Sequence, residues 1–344
     1  MSARRCPRCQ LLFEPPARFC ARDGTPLADV ETQQRRSLPS LDDPSVPLPP
    51  TLHLDQVIDD RYRVVRRLGE GGMSFVYQGR DQVANSDVAI KILTPRLAAD
   101  PASVQRLKRE ALLAERFDHP NVCRILHVGE TADGMLYLTM PYLRGESLND
   151  SETRRGPYPV DEAVMLLVQV CHGLQHAHDL GVIHRDLKPE NIMLVPDDSV
   201  PGGIRAVVMD FGLGKAIQPD PDLVRLTQTG IILGTPEFMS PEQVRGEKID
   251  ARSDIFGLGV VAFELFTGQL PFAGRTSQES MMSRLRGRPR AARSVRPDLP
   301  SRLEAVLNRA MALSPDQRYQ SMQAFADDLG TADEKGFFRR LFGR

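Results

Sequence analysis

The chain reads as an α+β protein built of two lobes, a small strand-rich part followed by a larger helical one. Three observations predict it. Short runs rich in β-branched and aromatic residues crowd between Arg61 and Met140. Beyond Gly145 the apolar residues recur at helical spacing instead. The two regimes follow one another without an internal repeat over 344 residues, a length that suits roughly two units.

The strand-rich part opens with Arg61-Tyr62-Arg63-Val64-Val65, then Ser74 to Gly79 and Asp87 to Ile92. Val104 to Phe117 has the pattern of a helix, and Met135 to Met140 that of a further strand. In the second part Val164, Leu167, Val168, Cys171, Leu174 and Ala177 share one helical face. Ser253 to Thr267 is apolar around most of its circumference, so it is expected as a helix buried inside the larger lobe. Leu303, Val306, Leu307, Ala310 and Met311 give another amphipathic helix.

Composition narrows the function classes. Hydrophobic residues make up 41%, enough for a real core, and the formal charge is −1. The chain as a whole therefore has no pull toward nucleic acid or anionic lipid, and any such attraction has to be local. No apolar stretch resembles a secretory signal. The greasiest segment, Ile255 to Phe266, falls short of the ~20 residues that cross a bilayer and contains Glu264. The expectation is a soluble, cytoplasmic chain without a transmembrane segment.

Cys6, Cys9 and Cys20 crowd into the first residues, whereas Cys123 and Cys171 sit among apolar neighbours as core residues. Cys6-Pro7-Arg8-Cys9 followed by Cys20 suits a tetrahedral Zn²⁺ site of the ribbon type, with Asp23 where the usual fourth cysteine would stand. Residues 1–28 are thus expected as a zinc-ribbon-like module. Its arginines leave nucleic acid open, but without an aromatic platform a protein-docking partner is favoured. Residues 29–60 are rich in Pro, Ser and Asp and are expected as a flexible linker. The basic, greasy tail 331–344 either folds back or touches a membrane surface weakly. His172 and His176 have metal-ligand spacing, but no third ligand accompanies them and the structural reading prevails.

Five motifs carry the chemistry. Leu68-Gly69-Glu70-Gly71-Gly72-Met73-Ser74-Phe75-Val76 places glycines between two strands, where a backbone without Cβ can approach a polyphosphate. Taken alone this is a weak signal, equally a glycine-rich hairpin. Val88-Ala89-Ile90-Lys91 puts a lysine in an apolar strand, where it must find an anion. Glu110, in the following helix, is expected to pair with it. His184-Arg185-Asp186-Leu187-Lys188-Pro189-Glu190-Asn191 is the specific signal. Asp186 can accept a proton from a hydroxyl, Lys188 can neutralise a moving phosphoryl group, and Asn191 offers a hard oxygen for Mg²⁺. Asp210-Phe211-Gly212 supplies a second Mg²⁺ ligand, and Ser240-Pro241-Glu242 follows.

In this order the motifs resemble the protein-kinase family, in particular bacterial Ser/Thr kinases of eukaryotic type, over residues 61 to about 330. The resemblance implies a bilobal kinase fold, with lobes over 61–142 and 143–330. It implies transfer of the γ-phosphate of Mg·ATP (or Mn·ATP) to Ser/Thr hydroxyls of protein substrates. Residue by residue, Asp186 resembles the catalytic base. Lys91 resembles the phosphate-binding lysine, with Glu110 as its partner, and Asn191 and Asp210 resemble the Mg²⁺ ligands. Leu68 to Val76 matches the loop over ATP. Ala89, Met140, Tyr142 and Leu143 fall around the adenine. Lys188 resembles the Ser/Thr-specific version of its loop, Asp254 the aspartate that braces that loop, and Arg318 the partner of Glu242. Ser74 and Ser240 stand where glycine and alanine are usual. Pro141 stands where a hinge glutamate is common and removes one N–H donor. Arg185 before the base marks kinases switched on by loop phosphorylation. Thr227 and Thr229 are the expected autophosphorylation sites, and a transient homodimer would let one chain modify another. Thr235 is expected to position the substrate.

Overall fold

The computed structural model describes residues 4–5, 12–13, 52–71, 74–93, 101–131, 134–211, 236–272, 274 and 277–331. At the N-terminus β1 (Arg4–Arg5) pairs antiparallel with β2 (Leu12–Phe13).

Strand alternation builds the small lobe. β3 (Val57–Ile58), β4 (Tyr62–Gly71), β5 (Ser74–Asp81), β6 (Ser86–Leu93), β7 (His127–Glu130) and β8 (Leu136–Pro141) form a sheet in the order β3-β4-β5-β6-β8-β7, each pair antiparallel. One face gathers Tyr62, Val64, Phe75, Tyr77, Val88, Ile90, Ile92 and Tyr137 into a core. Residues one step along β5 and β6 point the other way, and Val76 and Ala89 join a separate apolar cluster at the lobe junction.

Two expectations shift. The linker expected over 29–60 ends sooner. Val57 and Ile58 pair with Arg63 and Tyr62, and the Leu52 amide donates to the Tyr77 hydroxyl at 3.3 Å. The first long strand does not stop at Val65 but runs on to Gly71, with register shifts between Val64 and Arg66 and between Arg67 and Gly69. The glycine segment is therefore largely paired strand.

Helix α1 spans Pro101–Ala114, three residues upstream of the expected range, because Pro101 can start a helix without losing a needed N–H. The large lobe follows with β9 (Glu146–Ser147), α2 (Leu148–Arg155), α3 (Val160–Asp179), β10 (Ile192–Pro196), β11 (Ile204–Val208), α4 (Pro241–Arg245), α5 (Ala251–Thr267), α6 (Ser277–Arg286), α7 (Ala292–Val295), α8 (Ser301–Ala310) and α9 (Met322–Thr331). Every residue of α5 from Ser253 to Thr267 is buried, as its all-round apolarity predicts. Asp250 caps its start by accepting from the Arg252 amide, and Gly268 ends it at φ 69°, a left-handed turn that suits glycine. Around α5 the apolar faces of α3, α8 and α9 close one continuous core that includes buried Cys171.

A buried ion pair locks this lobe. Arg318 donates to both Glu242 oxygens at 2.7 and 2.8 Å, and Ser253 Oγ donates to the same carboxylate at 2.5 Å. Its remaining donors reach the carbonyls of Ala312, Arg252 and Leu313, so all five N–H groups have acceptors. Burial alone would raise the Glu242 carboxyl, but the hydrogen bonds from Arg318 and Ser253 hold it below the usual carboxylate range. Such a group contributes stability above the ordinary carboxylate range and loses that contribution as pH falls through the depressed value. Arg318→Met is expected to cost about 3–5 kcal/mol at neutral pH, because it strands a buried carboxylate. Urea unfolding of Glu242→Gln should show a deficit against wild type that holds down to pH about 4, the ordinary carboxylate value, and shrinks only as the pH is lowered further.

Candidate active site

Chemistry concentrates where the two lobes meet. β10 begins directly after Asn191 and β11 ends just before Met209 and Asp210, and Ile192 stands opposite Val208 in their ladder. The Met209 amide donates to the Asn191 carbonyl at 2.9 Å. Asn191 and Asp210 are thus presented together, at one end of one pair of strands.

The loop before Asn191 is held in an unfavourable shape. Arg185 has φ 63° and Asp210 φ 56°, both in the left-handed region that side chains with Cβ rarely adopt. Each such residue costs on the order of 1–3 kcal/mol and persists only where the surroundings fix it. For Arg185 the fixing group is Asp254, in the first turn of α5. One Asp254 oxygen accepts from the His184 amide and the other from the Arg185 amide, both at 2.8 Å. His178 adds a 2.7 Å contact to the same carboxylate. Burial would raise the Asp254 carboxyl, but His178 and His184 outweigh it and hold the group low. His184 is itself fully buried, and desolvation lowers its tendency to protonate. Its ring nitrogen contacts the Met209 carbonyl at 2.8 Å, which ties this loop to the segment carrying Asp210.

The reactive groups converge on this frame. Lys188 Nζ lies 3.5 Å from Asp186 Oδ2. Asn191 Nδ2 donates to the Asp186 carbonyl at 2.8 Å, which leaves its amide oxygen for another role. Lys91 Nζ crosses from β6 to Asp210 Oδ1 at 2.7 Å. Burial pushes the Asp210 carboxyl up, yet the charge and hydrogen bond of Lys91, with help from His184 and Lys188, hold it below the usual range. Phe211 is buried and packs its ring 4.8 Å from His184 and 4.9 Å from Phe117, just past α1. Ala89, Cys123, Met140 and Val207 form an apolar cluster between the lobes, with Val76, Leu143, Met193, Val195 and Met209 packed against it. Burial, with Asp210 nearby, pushes the Cys123 thiol up to about 12, so it serves as an inert wall.

Two expectations need correction, Lys91 with Glu110 and Phe75 at the cleft; the other expected residues are placed as follows. Lys91 does not meet Glu110. Among the described residues its ion pair is with Asp210, while Glu110 Oε1 lies 3.2 Å from Arg185 Nη1. Phe75 faces the small-lobe core and not the cleft, because it alternates with Val76 along β5. Leu68 is exposed, Gly69 and Glu70 lie in β4, and Glu70 pairs with Arg67. Ser74 is buried opposite Gly71. Tyr142 donates its amide to the Asp87 carbonyl at 3.3 Å, and its hydroxyl accepts from Arg66 at 3.1 Å. Gly72, Met73, Gly212, Thr227, Thr229 and Thr235 lie outside the described residues, as do Cys6, Cys9, Cys20 and Asp23. Among the described residues no cluster of His, Cys, Asp and Glu could hold a metal by itself, and no helix is long and apolar enough to cross a membrane. Sequence reasoning missed Gln243, which accepts from the Ser240 amide and donates to the Arg185 carbonyl at 2.7 Å. It also missed Arg284, a cation buried in α6.

Comparison with known proteins meets this geometry. The family model of the protein kinase domain matches residues 62–329. The chain is 37% identical over 285 residues to serine/threonine-protein kinase pkn3 of Myxococcus xanthus, covering 82% of this chain and 52% of that one. It is 38% identical over 275 residues to serine/threonine-protein kinase PknB of Mycobacterium leprae, covering 79% of this chain and 43% of that one. The chain thus spans about half the length of these curated relatives or less. The crystal structure of the Mycobacterium tuberculosis PknI kinase domain superposes with a TM-score of 0.66 at 29% identity, covering 82% of this chain and 100% of that one. The family match spans both lobes and the junction between them, and the chain belongs to the protein kinase domain family.

Proposed function

We propose that the chain is a Ser/Thr protein kinase that transfers the γ-phosphate of ATP to protein hydroxyls. The observation that carries the reading is the convergence of Asp186, Lys188, Asn191, Lys91 and Asp210 on one spot between the lobes. Asp186 is the base for the acceptor hydroxyl. Lys188, on the same side, neutralises charge that builds up as the phosphoryl group moves. The apolar side chains of Ala89, Val76, Met140, Leu143 and Met193 between the lobes would suit a flat aromatic base.

The donor set fits Mg²⁺. Asp210 is held ionised and already faces a cation, and Asn191 keeps a hard oxygen because its nitrogen is engaged elsewhere. When bound, the metal would screen the phosphate charge and orient the transferable group. Lys91 would then give up Asp210 for a phosphate.

Control by phosphorylation is part of the reading. Arg185, which is expected to receive a phosphothreonine, is engaged by Glu110 here. A phosphate on Thr227 or Thr229 carries about −1.5 to −2 charges and can outcompete one carboxylate for Arg185. Glu110 would be released, and with it α1 could shift. One chain modifying another through a transient homodimer suits loop threonines in this setting.

The division into 1–28, 29–60, 61–330 and 331–344 belongs to the same reading, with the kinase unit now starting nearer residue 52. A zinc module at the N-terminus is supported by the β1–β2 pairing, since Cys6 and Cys9 lie in the connection between these strands. Cys20 and Asp23 would complete the ligand set, and the module would dock a protein partner.

Three outcomes are expected. Incubated with Mg·ATP, the wild type should gain phosphate on Thr227 or Thr229, mapped by mass, and Asp186→Asn should lose about 10²–10⁴ in rate. A wild type that binds ATP yet labels neither itself nor a generic protein would defeat the kinase reading. Changing Thr227 and Thr229 together to alanine should lower substrate phosphorylation, and full activity in that variant would remove the switch. Metal analysis of the whole protein should find about one zinc per chain, lost in Cys6→Ser, as a structural site requires its thiolates.

A further inference from the structure

Arg284 is a buried cation that the site described above does not use. It lies in α6 at 1% exposure. Its Nη1 donates to the Pro236 carbonyl at 2.6 Å and its Nη2 to the Glu237 carbonyl at 2.7 Å. A guanidinium taken out of water is costly, so a forked donor set spent on two successive backbone carbonyls fixes that backbone firmly. Desolvation pushes the group down to about 10, with Glu237 opposing, and it stays charged at neutral pH.

The backbone it holds is a 3₁₀ turn, Pro236–Phe238, that leads into Met239, Ser240 and α4. Pro236 and Glu237 are buried, but Phe238 and Met239 are half-exposed. Phe238 and Met239 line a crevice together with Arg185, Asp186 and Leu187. Gln243 ties the same segment to the Arg185 carbonyl. The crevice itself is only water-sized, but the half-exposed Phe238 and Met239 at its edge stand beside the catalytic aspartate, where a polypeptide presenting a hydroxyl to Asp186 would lie.

The turn is gripped from a second point through a stack. The Arg284 guanidinium stands 5.8 Å from the Phe272 ring, Phe272 lies parallel to Phe256 at 5.8 Å, and Arg318 stands 5.0 Å from Phe256. Arg318 in turn holds Glu242. Segment 236–242 is therefore held near both ends by buried arginines whose charges flank the same two aromatic rings.

We infer that Arg284 is a positioning residue for the acceptor polypeptide, holding the 236–239 surface at a fixed distance from Asp186. The inference rests on the protein-kinase reading, because only a polypeptide acceptor needs that surface.

The test is steady-state phosphorylation of dephosphorylated casein by full-length wild type, Arg284→Met and Arg284→Lys, with hydrogen exchange measured across 236–239 and α5. Losing two charge-assisted hydrogen bonds should raise KM for casein by about tenfold in Arg284→Met. KM for ATP should stay within about twofold. Amides of 236–239 should exchange faster while α5 stays protected, and Arg284→Lys, with charge but no fork, should fall between. Unchanged casein KM together with unchanged exchange overturns the inference. So does a parallel rise in both KM values with α5 deprotected, which marks general loosening. Should Arg284→Met fail to fold, Arg284→Lys decides alone: a selective rise in casein KM supports the inference and none overturns it. If the wild type phosphorylates no protein, the kinase reading fails, while exchange at 236–239 still decides whether Arg284 holds the turn.

Discussion

Everything at the lobe junction hangs on the buried carboxylate of Asp254. Two of its hydrogen bonds go to consecutive amides, those of His184 and Arg185, and so fix a backbone that would not adopt its shape unaided. The carboxylate can do this because it sits at the start of α5, the helix around which the large lobe packs. The N-terminal end of a helix also favours a negative charge. Packing energy from an apolar helix is in this way converted into the position of a polar loop. Remove the helix from the centre of the lobe and the loop has nothing rigid to lean on.

The two lobes contribute differently to the site. Asp186, Lys188, Asn191 and Asp210 are connected by a 2.8 Å hydrogen bond, a 3.5 Å ion pair and one strand pair, all within the large lobe or its edge. Lys91 and Glu110 come from the small lobe and meet the large lobe through ion pairs, to Asp210 and Arg185. The side chains in both pairs are at most a third exposed, so neither is an ordinary surface ion pair. The site is thus knitted together by backbone within the large lobe and joined to the small lobe by charge.

Much of this was legible in the sequence, for identifiable reasons. The all-round apolarity of Ser253 to Thr267 has one physical meaning, burial, and the helix is buried. The run from His184 to Asn191 is dense in charged and hydrogen-bonding groups, and the structure brings several of them together at the lobe junction. Other features were not written in any local pattern. Whether Lys91 meets Glu110 or Asp210 depends on where α1 sits, a tertiary choice between nearly equal ion pairs. Glycines at 69 and 71 read as a loop, yet pairing with β5 recruits them into a strand. Nothing local in the sequence marks Arg284, since burial of a cation is decided by carbonyls far away in sequence.

The ladder between β10 and β11 carries a practical consequence. Its first rung, Ile192 with Val208, adjoins Asn191 and Asp210, and its last, Pro196 with Ile204, opens into the connection 197–203. Five rungs at about 3.4 Å per residue separate the two ends by on the order of 15 Å. The connection is closed by its own hydrogen bonds, Asp197 to Ser199 and Gly203 among them, and owes little to the site. It is a place where the chain can be lengthened, labelled or grafted while the spacing of the two oxygen donors stays as the ladder sets it.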